Sequence, residues 1–270
     1  MAQPNSNGVR VGRKARIGLG ILGLVIVYLS AGPPDFGAFM IFSGWSNELD
    51  GGAHYLHLVL RGAGNVLSVA LGVILIVRPQ WAIGVALATL GTGIAYPLAG
   101  AVGMFFWPPV AIYPIITIVV LAAIYFALRG QMPWQKPVSE RPVPSRAILV
   151  MTAFLAVPLM IFALDQAALQ RGPEVIHGDL GHWAGAFAYA VKIVLMGLFA
   201  SLKWPGWRVP AWGAAFSLFM LGFTSVMMPN QASSVGELWG ALAILASVGF
   251  VAVAELEGRL FPRAAVQPAG

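Results

Sequence analysis

The sequence contains no cysteine and few charged residues. The absence of cysteine excludes thiol chemistry, disulfides, iron–sulfur clusters and thiolate zinc sites within this chain. Charged residues make up 10% of the 270 positions, whereas about 25% is usual for a soluble domain. Hydrophobic residues make up 59%. This composition excludes a soluble globular domain and predicts an integral membrane protein.

Eight apolar stretches follow one another along the chain. A membrane-spanning helix needs about 20 mainly apolar residues, because the hydrocarbon layer is about 30 Å thick. The predicted helices cover residues 17–31, 54–77, 81–106, 110–128, 147–164, 182–202, 209–228 and 235–254. The predicted fold class is therefore all-α, a polytopic membrane protein with eight transmembrane helices.

Several features occur twice at a nearly constant spacing, which predicts a tandem duplication. His54-Tyr55 lies 128 residues before His182-Trp183, and the Pro-x-Trp turn ending at Trp81 recurs 126 residues later. Arg16 and Asp35 lie 130 residues before Arg146 and Asp165. Four helices per copy is an even number, so the two repeats are expected to be parallel. The predicted units are an N-terminal tail 1–15, a first repeat 16–129, a linker 130–145, a second repeat 146–257 and a C-terminal tail 258–270.

The placement of basic residues predicts the orientation. With the N-terminus inside, 13 of the 16 Lys and Arg residues fall in cytoplasmic segments, where such residues are enriched. Both termini are therefore expected in the cytoplasm, with the protein in the cytoplasmic membrane. The net charge of +6 then reflects topology and attraction to anionic lipid rather than nucleic-acid binding. The expected partners are the lipid bilayer and other membrane subunits.

Two helices carry polar stripes. In the second predicted helix, polar residues recur at intervals of three and four: His57, Arg61, Asn65 and Ser68. In the sixth, His182, Tyr189 and Lys192 share one face. Charges inside a bilayer are costly and usually face a cavity or a partner. The stripes predict a shared polar pocket open to the outside or, alternatively, an ion pair between helices, with Asp35 or Asp165 as the partner of Lys192.

Histidines and carboxylates cluster at the predicted outer face. Asp50, His54, His177, Asp179 and His182 have residue types that suit a divalent metal. The alternative is two solvated loops in which Asp50 and Asp179 cap the following helices. The equivalence of His54 and His182 also allows a haem with paired axial ligands, and the aromatic residues near helix ends allow a quinone site.

Four segments of the first copy carry a family resemblance. They are Arg16 at the first helix, Leu60–Leu67 in the second, the Arg78-Pro79 turn and Tyr125–Arg129 at the end of the fourth. These segments resemble the DoxX-like family of small bacterial membrane proteins, which implies a four-helix unit linked to quinone-coupled redox complexes. No catalytic residue is carried over. The expected function is an accessory or quinone-linked subunit of a bacterial membrane redox or transport assembly. The alternatives are a small-solute or ion transporter and a histidine-ligated haem or metal enzyme.

Overall fold

The computed structural model of the chain describes residues 9–32, 37–43, 55–103, 108–129, 131–172 and 181–260. Its helices are α1 (Arg13–Ala31), α2 (Met40–Ser43), α3 (Tyr55–Val77), α4 (Ala82–Gly103), α5 (Pro108–Ala127), α6 (Arg146–Gln170), α7 (His182–Ser201), α8 (Arg208–Met227) and α9 (Gly236–Leu260). Within these ranges there is no strand, and eight helices are long and apolar enough to cross a membrane. The predicted all-α polytopic fold is confirmed.

The helices pack as corresponding pairs in the two halves. Helix α1 lies on α3 as α6 lies on α7, and α4 lies on α5 as α8 lies on α9. The halves meet where α4 packs against α7 and α3 packs against α8. Helices α4, α7 and α8 are the most buried, whereas α1, α5 and α9 present apolar side chains such as Leu24, Ile118 and Leu245 at the surface. An apolar surface of this kind matches a lipid environment.

The two ends of the bundle differ in their chemistry. We call the end at which α3 and α7 begin the histidine end, and the end at which α1 begins and α9 finishes the terminal end. At the terminal end, Lys203 Nζ lies 3.2 Å from a carboxylate oxygen of Glu257, and Ser145 Oγ donates to the other oxygen at 2.6 Å. Partial burial lowers the pKa of the Lys203 ammonium, and Glu257 opposes that shift. Because Arg208 also pairs with Glu255 at 2.9 Å, charged pairs join the α7–α8 turn and the start of α8 to α9.

Glycine pairs allow three close approaches between elements. In the α1–α3 and α8–α9 pairs, Gly23 faces Gly72 and Gly222 faces Gly240, and a Cβ at any of them would strike the opposing backbone. Gly206, in the turn between α7 and α8, rests on the start of α4 with a φ of +78°. Small residues at contacts are the usual way in which membrane helices pack closely.

The fifth predicted helix is longer than the sequence indicates. Residues 165–170 were expected in a polar loop, but α6 continues to Gln170. The side chains of Gln166 and Gln170 are buried, and Gln170 Oε1 accepts a hydrogen bond from the backbone N–H of Ala184 at 3.0 Å. Because these polar side chains are satisfied inside the protein, they do not end the helix.

Candidate functional site

A cavity of about 60 Å³ lies between α3, α4, α5 and α7 and reaches from the histidine end toward the middle of the bundle. A water-sized group needs roughly 10–15 Å³ of such volume, so the cavity has room for about four to six of them. Its wall combines apolar positions with polar side chains from both halves of the chain. The cavity is therefore a polar space within an apolar bundle.

The α3 wall carries most of the predicted stripe. His57, Arg61 and Ser68 line the cavity, whereas Asn65 does not. His57 is buried, Arg61 is exposed, and Ser68 Oγ donates to the carbonyl of Gly64 at 3.1 Å. Arg61 therefore places a positive charge at an exposed part of the cavity wall.

The α7 wall carries the second stripe, because His182, Tyr189 and Lys192 all line the same cavity. Lys192 is 5% exposed, and its Nζ lies 4.1 Å from the centre of the Tyr189 ring. A cation–π contact of this kind contributes about 2 kcal/mol when desolvated, whereas burying an ammonium costs several kcal/mol. The ring of Tyr189 therefore offsets only part of the cost of burying Lys192.

The structure does not bring Asp165 to Lys192. Asp165 lies on the exposed side of α6 and is not part of the cavity wall. Among the described residues Lys192 has no salt bridge, and the described part of the cavity wall contains no Asp or Glu. The suggestion that Asp165 pairs with Lys192 is therefore corrected, because Asp165 lies on the exposed side of α6. The other suggested partner, Asp35, lies outside the described residues.

Most of the suggested metal ligands also lie outside the described residues: Asp50, His54, His177 and Asp179. His182 is described, and its ring stacks on that of His57 with 5.2 Å between centres. In the described ranges there is no group of three or more His, Asp or Glu side chains placed to hold a metal ion. The haem alternative paired His182 with His54, and it stays a prediction.

A buried polar chain at the histidine end joins the two halves. Ser233 Oγ donates to Gln166 Oε1 at 2.6 Å and lies 3.4 Å from a ring nitrogen of His57. The ring of Trp183 packs against the same His57 ring in a T-shaped arrangement, with 4.9 Å between the ring centres. All four side chains are buried. The contacts with Ser233 and Trp183 hold the His57 ring in place, and the same ring forms part of the cavity wall.

Two tyrosines of the cavity were missed by the sequence analysis. Tyr96 and Tyr113 line the cavity, and their rings stack with 4.1 Å between centres. Each is followed by a proline within its helix, Pro97 in α4 and Pro114 in α5. A proline in a membrane helix frees a backbone carbonyl, which is tolerated where the helix lines a cavity or packs in protein. The repeated Tyr-Pro pair was therefore a usable signal for this wall.

A second cavity lies between α3 and α8 and is almost entirely apolar. Its volume is about 300 Å³, and Trp81, Trp212 and Phe216 contribute to its wall. Leu67 and Leu71 belong to the walls of both cavities. These two leucines therefore separate the polar cavity from the apolar one.

Comparison with protein-family models, curated proteins and solved structures finds no match to this chain.

Proposed function

We propose that this multi-pass membrane protein binds a small solute at the histidine end, as an accessory or quinone-linked subunit of a bacterial membrane redox or transport assembly. The observation that carries the proposal is the meeting of two polar stripes, one from each half, in one cavity. Polar groups at membrane depth are costly and usually serve a ligand or an ion pathway.

The chemistry of the wall favours a ligand that accepts hydrogen bonds. Lys192 and Arg61 are obligate donors, and the Tyr189 hydroxyl can add a further one. A quinone carbonyl fits this pattern, and because a quinone ring has more non-hydrogen atoms than the roughly four to six water-sized groups that the cavity admits, only a carbonyl edge of the ring would enter it. The DoxX-like resemblance points in the same direction. Lipid, and other membrane subunits at the apolar surface, are the proposed partners.

The test uses single replacements in the cavity wall. We expect Arg61→Gln and Lys192→Met to weaken binding of a short-chain ubiquinone or of another small acceptor, measured as the ligand-dependent rise in Tm of the purified chain. Each variant loses about tenfold or more in affinity, because a hydrogen bond to a charged group contributes about 1.5–3 kcal/mol.

Val73→Ala is the matched control, since Val73 is an exposed position of α3 that does not line the cavity. Normal abundance together with unchanged binding in both Arg61 and Lys192 variants would remove the cavity from consideration.

A transporter is the second candidate. It is favoured by Lys192, a buried basic residue of the cavity wall about ten residues into α7, because ionisable residues at membrane depth often mark the pathway of a solute or an ion. Uptake of the bound solute into proteoliposomes, lost in Lys192→Met, distinguishes transport from binding alone.

A further inference from the structure

Lys192 is 5% exposed, whereas Arg61, the other basic residue of the described cavity wall, is exposed. The surroundings of Lys192 indicate which charge a ligand of the cavity carries. We propose that the cavity takes a small monovalent anion, with a carboxylate as the model chemistry, and that the Lys192 ammonium is its charge partner. This rests on the proposed function, since it specifies the ligand class of the same cavity.

The first observation is the space beside the ammonium. Tyr189 covers one side of Lys192 at 4.1 Å from the ring centre. On α3 the facing residue is Gly64, and a Cβ built there would lie 3.7 Å from Lys192 Nζ. Because Gly64 has no side chain, the space next to the Lys192 ammonium on this side is not filled by residue 64.

The duplication makes this arrangement one-sided. Lys192 lies 128 residues after Gly64, the same spacing that separates the two His-aromatic pairs. The equivalent positions of the two copies therefore hold a cation in α7 and no side chain in α3. Because only one of the two equivalent positions holds a cation, the site suits one anion rather than two.

The second observation is the balance of charge. The described wall contains two basic residues, Arg61 and Lys192, two histidines, His57 and His182, and no carboxylate. A buried charge needs a partner of opposite sign, and the cation–π contact with Tyr189 supplies only part of that. Arg61 is exposed and so adds an attractive field at the cavity for an arriving anion.

The third observation is size. A volume of 60 Å³ admits a ligand of roughly four to six non-hydrogen atoms, each counted as one water-sized group. Formate, acetate, propionate and nitrate fall at or below this limit. A dianion would carry two negative charges, whereas only one buried positive charge, that of Lys192, would face it.

The experiment measures the Tm of the full chain in a neutral maltoside detergent at constant ionic strength, with a bulky sodium salt as background. Formate, acetate, propionate and nitrate are titrated beside acetamide as the neutral counterpart and tetramethylammonium as the cation. We expect a saturable rise with the small anions and none with the other two. In Lys192→Met the apparent affinity for acetate falls at least about tenfold, whereas Lys192→Arg retains part of it and Val73→Ala all of it.

The basal Tm of Lys192→Met, without added anion, separates a ligand site from a structural ion pair. We expect it to stay equal or rise, because an uncompensated buried charge has been removed. A fall in basal Tm with an unchanged acetate response would overturn the proposal.

The remaining measurements identify the source of the anion, and they distinguish failure of the anion proposal from failure of the proposed function. Nanodiscs of phosphatidylglycerol and of phosphatidylcholine, each without added acetate, test a lipid phosphate, and a Lys192-dependent rise confined to phosphatidylglycerol assigns the site to the headgroup. Lys192-dependent stabilisation by acetamide or a quinone, with none by acetate or phosphatidylglycerol, would overturn the anion while leaving the proposed function standing. No response to any probe would overturn both.

Discussion

Lys192 illustrates what helical spacing can and cannot give at the level of a single residue. Its position at the same face as His182 and Tyr189 follows from intervals of seven and three, and the structure places all three in one cavity wall. The suggested partner Asp165 was not found there, because a 1-in-3.6 periodicity orders residues around one helix and says nothing about the rotation of another. Tertiary packing decides that rotation.

Ser233 carries a prediction at the same level. Replacing Ser233 by Ala removes the donor to Gln166 Oε1, and Gln166 is only 2% exposed. We expect the free energy of unfolding to fall by about 1–3 kcal/mol, the range for a buried acceptor left unsatisfied. Chemical denaturation in detergent micelles measures it.

Ser139→Ala is the control, because Ser139 is exposed in the linker and should change stability by less than about 0.5 kcal/mol. Equal stability of the two variants would mean that the polar chain from Gln166 to His57 does not contribute to the fold.

The turn between α7 and α8 determines how closely α4 approaches the second half. Gly206 has a φ of +78°, and a Cβ there would lie 2.7 Å from the carbonyl oxygen of Trp81 and 3.0 Å from the N of Gly84. Gly206→Ala should therefore cost more than about 2 kcal/mol, since overpacking adds to the left-handed backbone strain. Thermal unfolding of the purified variant is the measurement.

Gly236→Ala is a close match for that substitution. Gly236 has a φ of +79°, but a Cβ there would meet nothing within 4 Å. Only the backbone strain remains, at about 1 kcal/mol. If Gly206→Ala were as mild as Gly236→Ala, the turn would have room to move away from α4.

At the level of the helices, the sequence predicted number and type well and some ends poorly. Runs of about 20 apolar residues leave little alternative to a spanning helix, so α3, α7 and α8 begin and end within one or two residues of the prediction. Helix α6 runs six residues past its predicted end because Gln166 and Gln170 find partners on other elements. Such partners are fixed by the fold and are invisible in a hydropathy pattern.

Over the whole molecule, the two halves use the same contacts with different results. The α4–α7 contact is close, with Gly91 of α4 next to Met196 of α7. The corresponding α3–α8 contact leaves an apolar cavity of about 300 Å³. The two halves therefore differ at corresponding contacts, and they differ again at Lys192 of α7, since the residue 128 positions earlier in α3 is Gly64. The equivalence of the pairs supports parallel repeats, which stay a proposal.

The orientation in the membrane gives the last prediction, and the cysteine-free chain makes it simple to measure. Ser139 is exposed at the terminal end, and Asn230 is exposed at the histidine end. If the basic residues orient the protein as expected, Asn230→Cys reacts with a membrane-impermeant maleimide in intact spheroplasts, and Ser139→Cys reacts only in inverted vesicles. The wild-type chain is the blank, because it has no thiol. The reverse pattern would put the cavity on the cytoplasmic side, and labelling of both positions from one side would contradict the membrane crossing of the helices between them.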